Sequence, residues 1–196
     1  VATLREAGPQ APTLCEGWNT TDLAAHLVMR ERRLDATLGI AVPFLAGYTA
    51  AVQGKIARST SWETLIDLVA AGPPVYSPFK LLDPVVNLGE MFIHHEDVRR
   101  AVEGWQPRVL DQGINAQLRR QLALMGRIML SRLPADVVLQ TPAGDRVARA
   151  GRGEKVTITG DPQELLLFVV GRDAVRVEFD GDAQAVAAVR AAPRGL

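Results

Sequence analysis

The 196 residues contain a single cysteine, Cys15. That excludes an internal disulfide and fits a reducing compartment. Neither sign of charge predominates: 22 basic residues stand against 22 acidic ones, with no long run of either. Electrostatic capture of a nucleic acid or an anionic membrane is therefore not expected. No apolar run is long enough to span a bilayer, and Val1–Gln10 carries no signal-peptide pattern. Internal repeats and low-complexity tracts are also missing. Together these absences make a cytoplasmic location the expectation.

What the chain does have is core material. At 47% hydrophobic it can bury the interior of one large domain or two small ones. Pro9 to Trp18 reads as a loop from its prolines and glycines. Asn19, Thr20 or Thr21 then offers an N-cap, with Asp22 in the first turn. The helix that follows places Leu23, His26, Leu27, Arg30 and Leu34 near one face and is expected to run to about Ile40. Phe44–Ala57 and Trp62–Ala71 are the next two helices, the latter capped by Ser59-Thr60-Ser61 and stopped by Gly72-Pro73-Pro74. Pro84 suits the first turn of a fourth, which ends near Glu103-Gly104, and Asp111 to about Ser131 is a fifth.

After Pro134 the period changes. Val137–Gln140, Val147–Ala150 and Val156–Thr159 are short β-branched runs between turns, the signal of a hairpin or meander. A helix from Pro162 through Val170, a strand Val175–Phe179 and a closing helix Ala183–Ala192 complete an α+β tail. The expected fold class is α+β: a helical bundle over residues 1–133 and a small α+β domain over residues 134–196.

The chemistry concentrates on the fourth helix. Two of the three histidines and three carboxylates lie within Gly89–Arg100. With 3.6 residues per turn, Glu90, His94 and Asp97 share one face. Val86, Ile93 and Ala101 fall close to that stripe, which is otherwise apolar. Charge on a core-facing stripe is costly unless it is paired or ligates a metal. A Glu–His pair at i and i+4 can also be only a local hydrogen bond, and a lone histidine such as His26 can be an ordinary core residue. Two imidazoles and a carboxylate nevertheless form a ligand set suited to a divalent ion with open positions. Bundle cores hold metals through Glu and His of facing helices. His95, rotated about 100° from His94, is a weaker candidate. Asp97 points the right way to orient a ligand imidazole. Glu96, Arg99 and Arg100 are read as a solvated face with weak local ion pairs. Cys15 lacks a CxxC partner and is not read as a zinc ligand.

Leu14-Cys15-Glu16-Gly17-Trp18 followed by Asp22-Leu23-Ala24-Ala25-His26-Leu27 resembles the N-terminal signature of the DinB-like, mycothiol-dependent maleylpyruvate isomerase superfamily. Glu90-Met91-Phe92-Ile93-His94-His95-Glu96-Asp97-Val98-Arg99-Arg100-Ala101 resembles its second metal-binding helix, in wording closest to an uncharacterised actinobacterial metal-binding branch. The resemblance implies a four-helix bundle with a divalent metal, usually zinc, on His26, Glu90 and His94. It also implies mycothiol as the low-molecular-weight thiol activated at the metal, and an electrophile or carboxylate as substrate. The reaction classes it implies are S-transfer and isomerisation. An arginine of the small domain would then hold a substrate carboxylate. Arg172 is best placed by motif, although a surface arginine after a helix-stop glycine is an equal reading of that position. A non-catalytic metal- or ligand-binding protein stays open beside the enzyme.

Overall fold

The computed structural model describes residues 1–37, 42–77, 80 and 84–195, without the side chains of 43 and 84–87. The chain divides into two units, Val1–Trp105 and Gln106–Leu196.

The first unit is helical. A short α1 (Ala2–Ala7) precedes the proline-rich loop, and α2 (Thr20–Arg32) starts at Asn19 with a capping box. The Asn19 side chain accepts from the Asp22 N–H, and the Asp22 carboxylate accepts from the Asn19 N–H. That reciprocal pair satisfies two of the donors a helix start leaves free. The helix ends at Arg33 rather than near Ile40, and a single turn, α3 (Leu34–Thr37), follows. Residues 38–41, most of the Tyr76–Leu82 connection and the Val86 side chain lie outside the described residues.

Next come α4 (Ala46–Ser59), α5 (Trp62–Ala71) and α6 (Pro84–Arg99). With α2 they are the four longer helices of this unit. Ser61 caps α5 by accepting from the Thr64 N–H. Both α4 and α5 pack against α2, whose Ala24 and Ala25 are fully buried with Val28 and Leu65. Small side chains there let the neighbouring helices approach closely. Leu4, Leu23, Ile66 and Val98 form a second cluster that ties α1 to α6, with Cys15, Trp18 and Trp62 against it.

The second unit contains α7 (Gln112–Leu130) and a four-stranded sheet. The strands are β1 (Asp136–Gln140), β2 (Arg146–Ala150), β3 (Lys155–Thr159) and β4 (Glu178–Gly181), in the order β2-β1-β3-β4. β1 and β2 form a hairpin. β3 lies on the other side of β1 and runs parallel to it, Val137 opposite Val156, so the three strands are no meander. α8 (Pro162–Val169) follows β3, and α9 (Ala183–Ala191) closes the chain.

Three expectations differ here. The helix expected to be the fifth of the bundle, α7, packs on α8 and β2 instead, and the units divide before it rather than after residue 133. Periodicity shows which face of a helix is apolar but not what covers it. Gly126 makes the close approach: a Cβ there would meet the Ala148 Cβ at 3.1 Å. The last strand begins at Glu178, later than Val175. The Arg176 N–H donates to the buried Glu164 carboxylate at 2.7 Å, which takes the preceding backbone out of the ladder.

Candidate metal centre

All of the site's residues belong to the first unit. α2 carries His26 on its buried face, one turn before Arg30. α6 carries Glu90, His94 and Asp97 on successive turns. His26 and His94 are each 8% exposed, and their rings meet edge to face with centroids 5.3 Å apart. The His94 Nε2 lies 3.3 Å from Glu90 Oε1. Donor atoms of His26, Glu90 and His94 all fall within 4.8 Å of one another. The structure therefore brings the three expected ligands together.

Hydrogen bonds set the direction in which each imidazole points. The His94 Nδ1–H donates to Asp97 Oδ2 at 2.9 Å. A carboxylate only accepts, so Nδ1 carries a proton and Nε2 is the ring nitrogen that faces Glu90. The His26 Nδ1–H donates to Gln53 Oε1 at 3.2 Å. Gln53 on α4 is held in that orientation by its own Nε2–H, which donates to the Asp22 carbonyl at 3.5 Å. Both δ nitrogens are thus engaged, leaving Nε2 as the atom of each ring that could coordinate an ion. That is the tautomer arrangement in which an outer partner orients a metal-ligating histidine.

The electrostatics follow from burial. Burial, reinforced by neighbouring His94, lowers the His26 pKa to about 4. Burial also pushes Glu90 up, but the bond to His94 and the charges of His94 and Arg30 outweigh it and bring the pKa to about 2. Arg30, one turn beyond His26, places its Nε 3.8 Å from Glu90 Oε1. With its side chain 31% exposed, Glu90 is the most open of the three candidate ligands. Trp18 lies against the His26 ring, centroids 5.1 Å apart.

The other expected residues fall elsewhere. His95 turns toward α1 and shares a 2.7 Å hydrogen bond with the Thr3 hydroxyl. Glu96, Arg99 and Arg100 are not a solvated face. Glu96 is 0% and Arg100 2% exposed. Arg100 Nε donates to Glu96 at 2.7 Å and Arg99 Nη1 donates to it at 2.9 Å. α6 is buried on more sides than its charge pattern suggests: α1 meets it at His95, and the Pro9–Trp18 loop meets it at Asp97. Arg172 belongs to the second unit, just after α8, where its Nη1 donates to the Val170 carbonyl at 2.8 Å.

Gln53 and Cys15 were not assigned to the centre from sequence. Gln53 lies among Val52 and Ile56 on α4, and a lone amide on an apolar stripe is the only signal that marks it. Cys15 donates its thiol hydrogen to Asp97 Oδ2 at 3.2 Å, a contact across the fold that no spacing encodes.

Residues 1–82 match the family model of the mycothiol maleylpyruvate isomerase N-terminal domain. A crystal structure of the mycothiol-dependent maleylpyruvate isomerase superposes with a TM-score of 0.52 and 19% identity, covering 91% of this chain and 86% of that one. At that identity the likeness is one of fold, and it extends past residues 1–82 into the sheet-bearing part. No curated protein matches the chain in sequence. Both findings support the DinB-like, maleylpyruvate isomerase resemblance seen in the sequence.

Proposed function

We propose that the chain is a divalent-metal enzyme dependent on a low-molecular-weight thiol, with His26, Glu90 and His94 as the protein ligands. The observation that carries this reading is the convergence of two Nε2 lone pairs and one carboxylate, with both δ nitrogens already engaged. Two nitrogens and one oxygen leave room for further ligands around a tetrahedral or larger coordination sphere. Zinc fits this donor set. A divalent cation held there makes a thiolate accessible at neutral pH and polarises a carbonyl or enolate oxygen.

The chain's own groups prepare that chemistry. Gln53 and Asp97 fix the imidazoles, so little reordering is needed when an ion enters. Arg30 offsets part of the Glu90 charge and keeps it ionised. Burial excludes competing water and strengthens each of these interactions. Mycothiol is the proposed thiol, in keeping with the family domain, and S-transfer or isomerisation of an electrophile is the proposed reaction class. Arg172 is proposed to hold a substrate carboxylate with its planar fork. Among the described residues no helix is long and apolar enough to cross a membrane, and the cytoplasm is the proposed location.

Cobalt-substituted protein titrated with mycothiol tests this reading. Thiolate binding at the ion produces a sulfur-to-cobalt charge-transfer band in wild type and none in His94→Ala. A protein that binds cobalt but gives no band with any thiol is a metal-binding protein without this chemistry.

A further inference from the structure

The loop before α2 grips Asp97 at both ends. The Leu14 N–H donates to the Asp97 main-chain carbonyl at 3.0 Å, and the next residue, Cys15, donates its thiol hydrogen to Asp97 Oδ2 at 3.2 Å. That same oxygen accepts from His94 Nδ1 at 2.9 Å. Asp97 is 0% exposed, so these bonds are made away from bulk solvent.

The loop is itself held in place. The Trp18 N–H donates to the Cys15 carbonyl, closing a turn in which Gly17 has φ 75°. A positive φ at the third residue of a turn suits glycine and little else. The Thr13 hydroxyl donates to the Trp18 carbonyl at 2.9 Å and accepts from the Cys15 N–H at 3.2 Å. Cys15 is therefore presented to Asp97 by a closed turn rather than by a free segment.

We infer that Cys15 is a positioning residue of the metal centre, its thiol donor holding Asp97 Oδ2 on the His94 Nδ1–H so that the His94 Nε2 faces Glu90 and His26. The inference rests on the metal reading of the site. Donor atoms of Cys15, Asp97 and His94 also lie within 4.8 Å of one another, so direct ligation by the thiolate is the competing arrangement. Positioning is favoured by the two hydrogen bonds that meet at Asp97 Oδ2. An ion in the second set would need the His94 Nδ1 stripped of the proton that directs Nε2 to the first.

Zinc affinity measured by competition with a chromophoric chelator tests this on purified wild type, Cys15→Ala, Cys15→Ser, Asp97→Asn and the Cys15→Ala/Asp97→Asn double variant. Outer partners of ligands carry about 10- to 100-fold in affinity. Cys15, one step further out, is expected to carry about 3- to 10-fold on removal to alanine. Cys15→Ser keeps a donor and stays within about twofold of wild type by the same logic. In the Asp97→Asn background, Cys15→Ala adds less than about twofold, because the group through which it acts has changed. Cobalt-loaded wild type in thiol-free buffer shows no sulfur-to-cobalt charge-transfer band. The inference is overturned by an unchanged affinity in Cys15→Ala, by a serine variant as weak as alanine, or by additive losses in the double variant. It is likewise overturned by a charge-transfer band that Cys15→Ala abolishes, which makes Cys15 a ligand. Wild type that binds neither zinc nor cobalt defeats the metal reading itself.

Discussion

The His94 Nε2 and Glu90 Oε1 lie 3.3 Å apart, and because Asp97 holds a proton on His94 Nδ1, neutral His94 has no hydrogen to offer Glu90. Two facing lone pairs at that distance call for a cation between them. In the ion-free chain a proton serves. Burial opposes it, but bonds to Asp97, Cys15 and Glu90 hold the His94 pKa well above its ordinary value.

An entering metal must displace that proton. Metal binding at pH 7 is expected to release about one proton. Affinity should fall as the pH drops. Calorimetric titration in buffers of different ionisation heat measures the release, and binding with no proton release would contradict the assignment of His94.

Stability of the ion-free chain has two opposing histidine contributions. His94, raised on folding, stabilises fully below the ordinary value of 6.5, and that share fades as pH climbs through its folded pKa. His26, lowered to about 4, behaves oppositely: its share is complete above 6.5 and is lost as pH falls toward 4. Thermal melts of wild type and His26→Gln from pH 7 to pH 4 isolate the second effect. The acid loss should be smaller in the variant, and parallel curves would rule out a buried neutral His26.

The helical pattern located much of this and missed a definable part. α5 and the start of α6 agree with the residues named from sequence, because Ser61, Gly72 and Pro84 punctuate the chain unmistakably. Glu90, His94 and His26 were legible because helical spacing puts the first two on one face and the family signature adds the third. Gln53 and Cys15 act through contacts between distant segments, which periodicity does not carry. Glu96 and Arg100 were misplaced on the surface because charge alone does not reveal that a helix is covered on most of its sides.

That buried pair gives a stability test. Arg100 bonds Glu96 and stacks on the Trp105 ring, 4.5 Å from its centroid. Removing one partner of a buried ion pair costs about 3–5 kcal/mol when the other charge is stranded. Arg99 still bonds Glu96 in Arg100→Ala, so the cost falls at or below the low end of that range. Arg100→Ala should therefore unfold at markedly lower urea while its folded fraction still binds metal. A midpoint near wild type would show that the pair is solvated after all.

Glu31 is the opposite case. It is 1% exposed, and neither carboxylate oxygen has a hydrogen-bond partner among the described residues. Burial raises its pKa, against the pull of Arg32 and Arg30. An unsatisfied buried group costs about 1–3 kcal/mol, so Glu31→Leu should stabilise by about that amount at pH 7. The gain should shrink as pH falls through the raised pKa, where the wild-type carboxyl becomes neutral. Urea unfolding at pH 7 and pH 5 checks both statements, and a destabilised variant would mean that the carboxylate has a partner.

The ligand assignment separates neighbours on one helix. Glu90→Gln removes the anionic ligand and should weaken zinc binding by more than the about 10- to 100-fold typical of outer partners. His95→Gln should leave it unchanged, since His95 faces Thr3. Chelator competition on both variants decides it, and loss of metal from the His95 variant alone would place the site on the wrong face.

Arg172→Lys keeps the charge but loses the fork. Metal content should be unaffected while thiol-dependent turnover of a carboxylate substrate declines, chiefly through KM. Unchanged kinetics would contradict a substrate-binding role for Arg172.

The most direct measurement is metal content by mass spectrometry on tag-free wild type and His26→Ala. Near-stoichiometric divalent metal in wild type, lost in the variant, is the expected result. No metal in wild type after incubation with zinc, or equal metal in both proteins, would contradict a centre built on His26, Glu90 and His94.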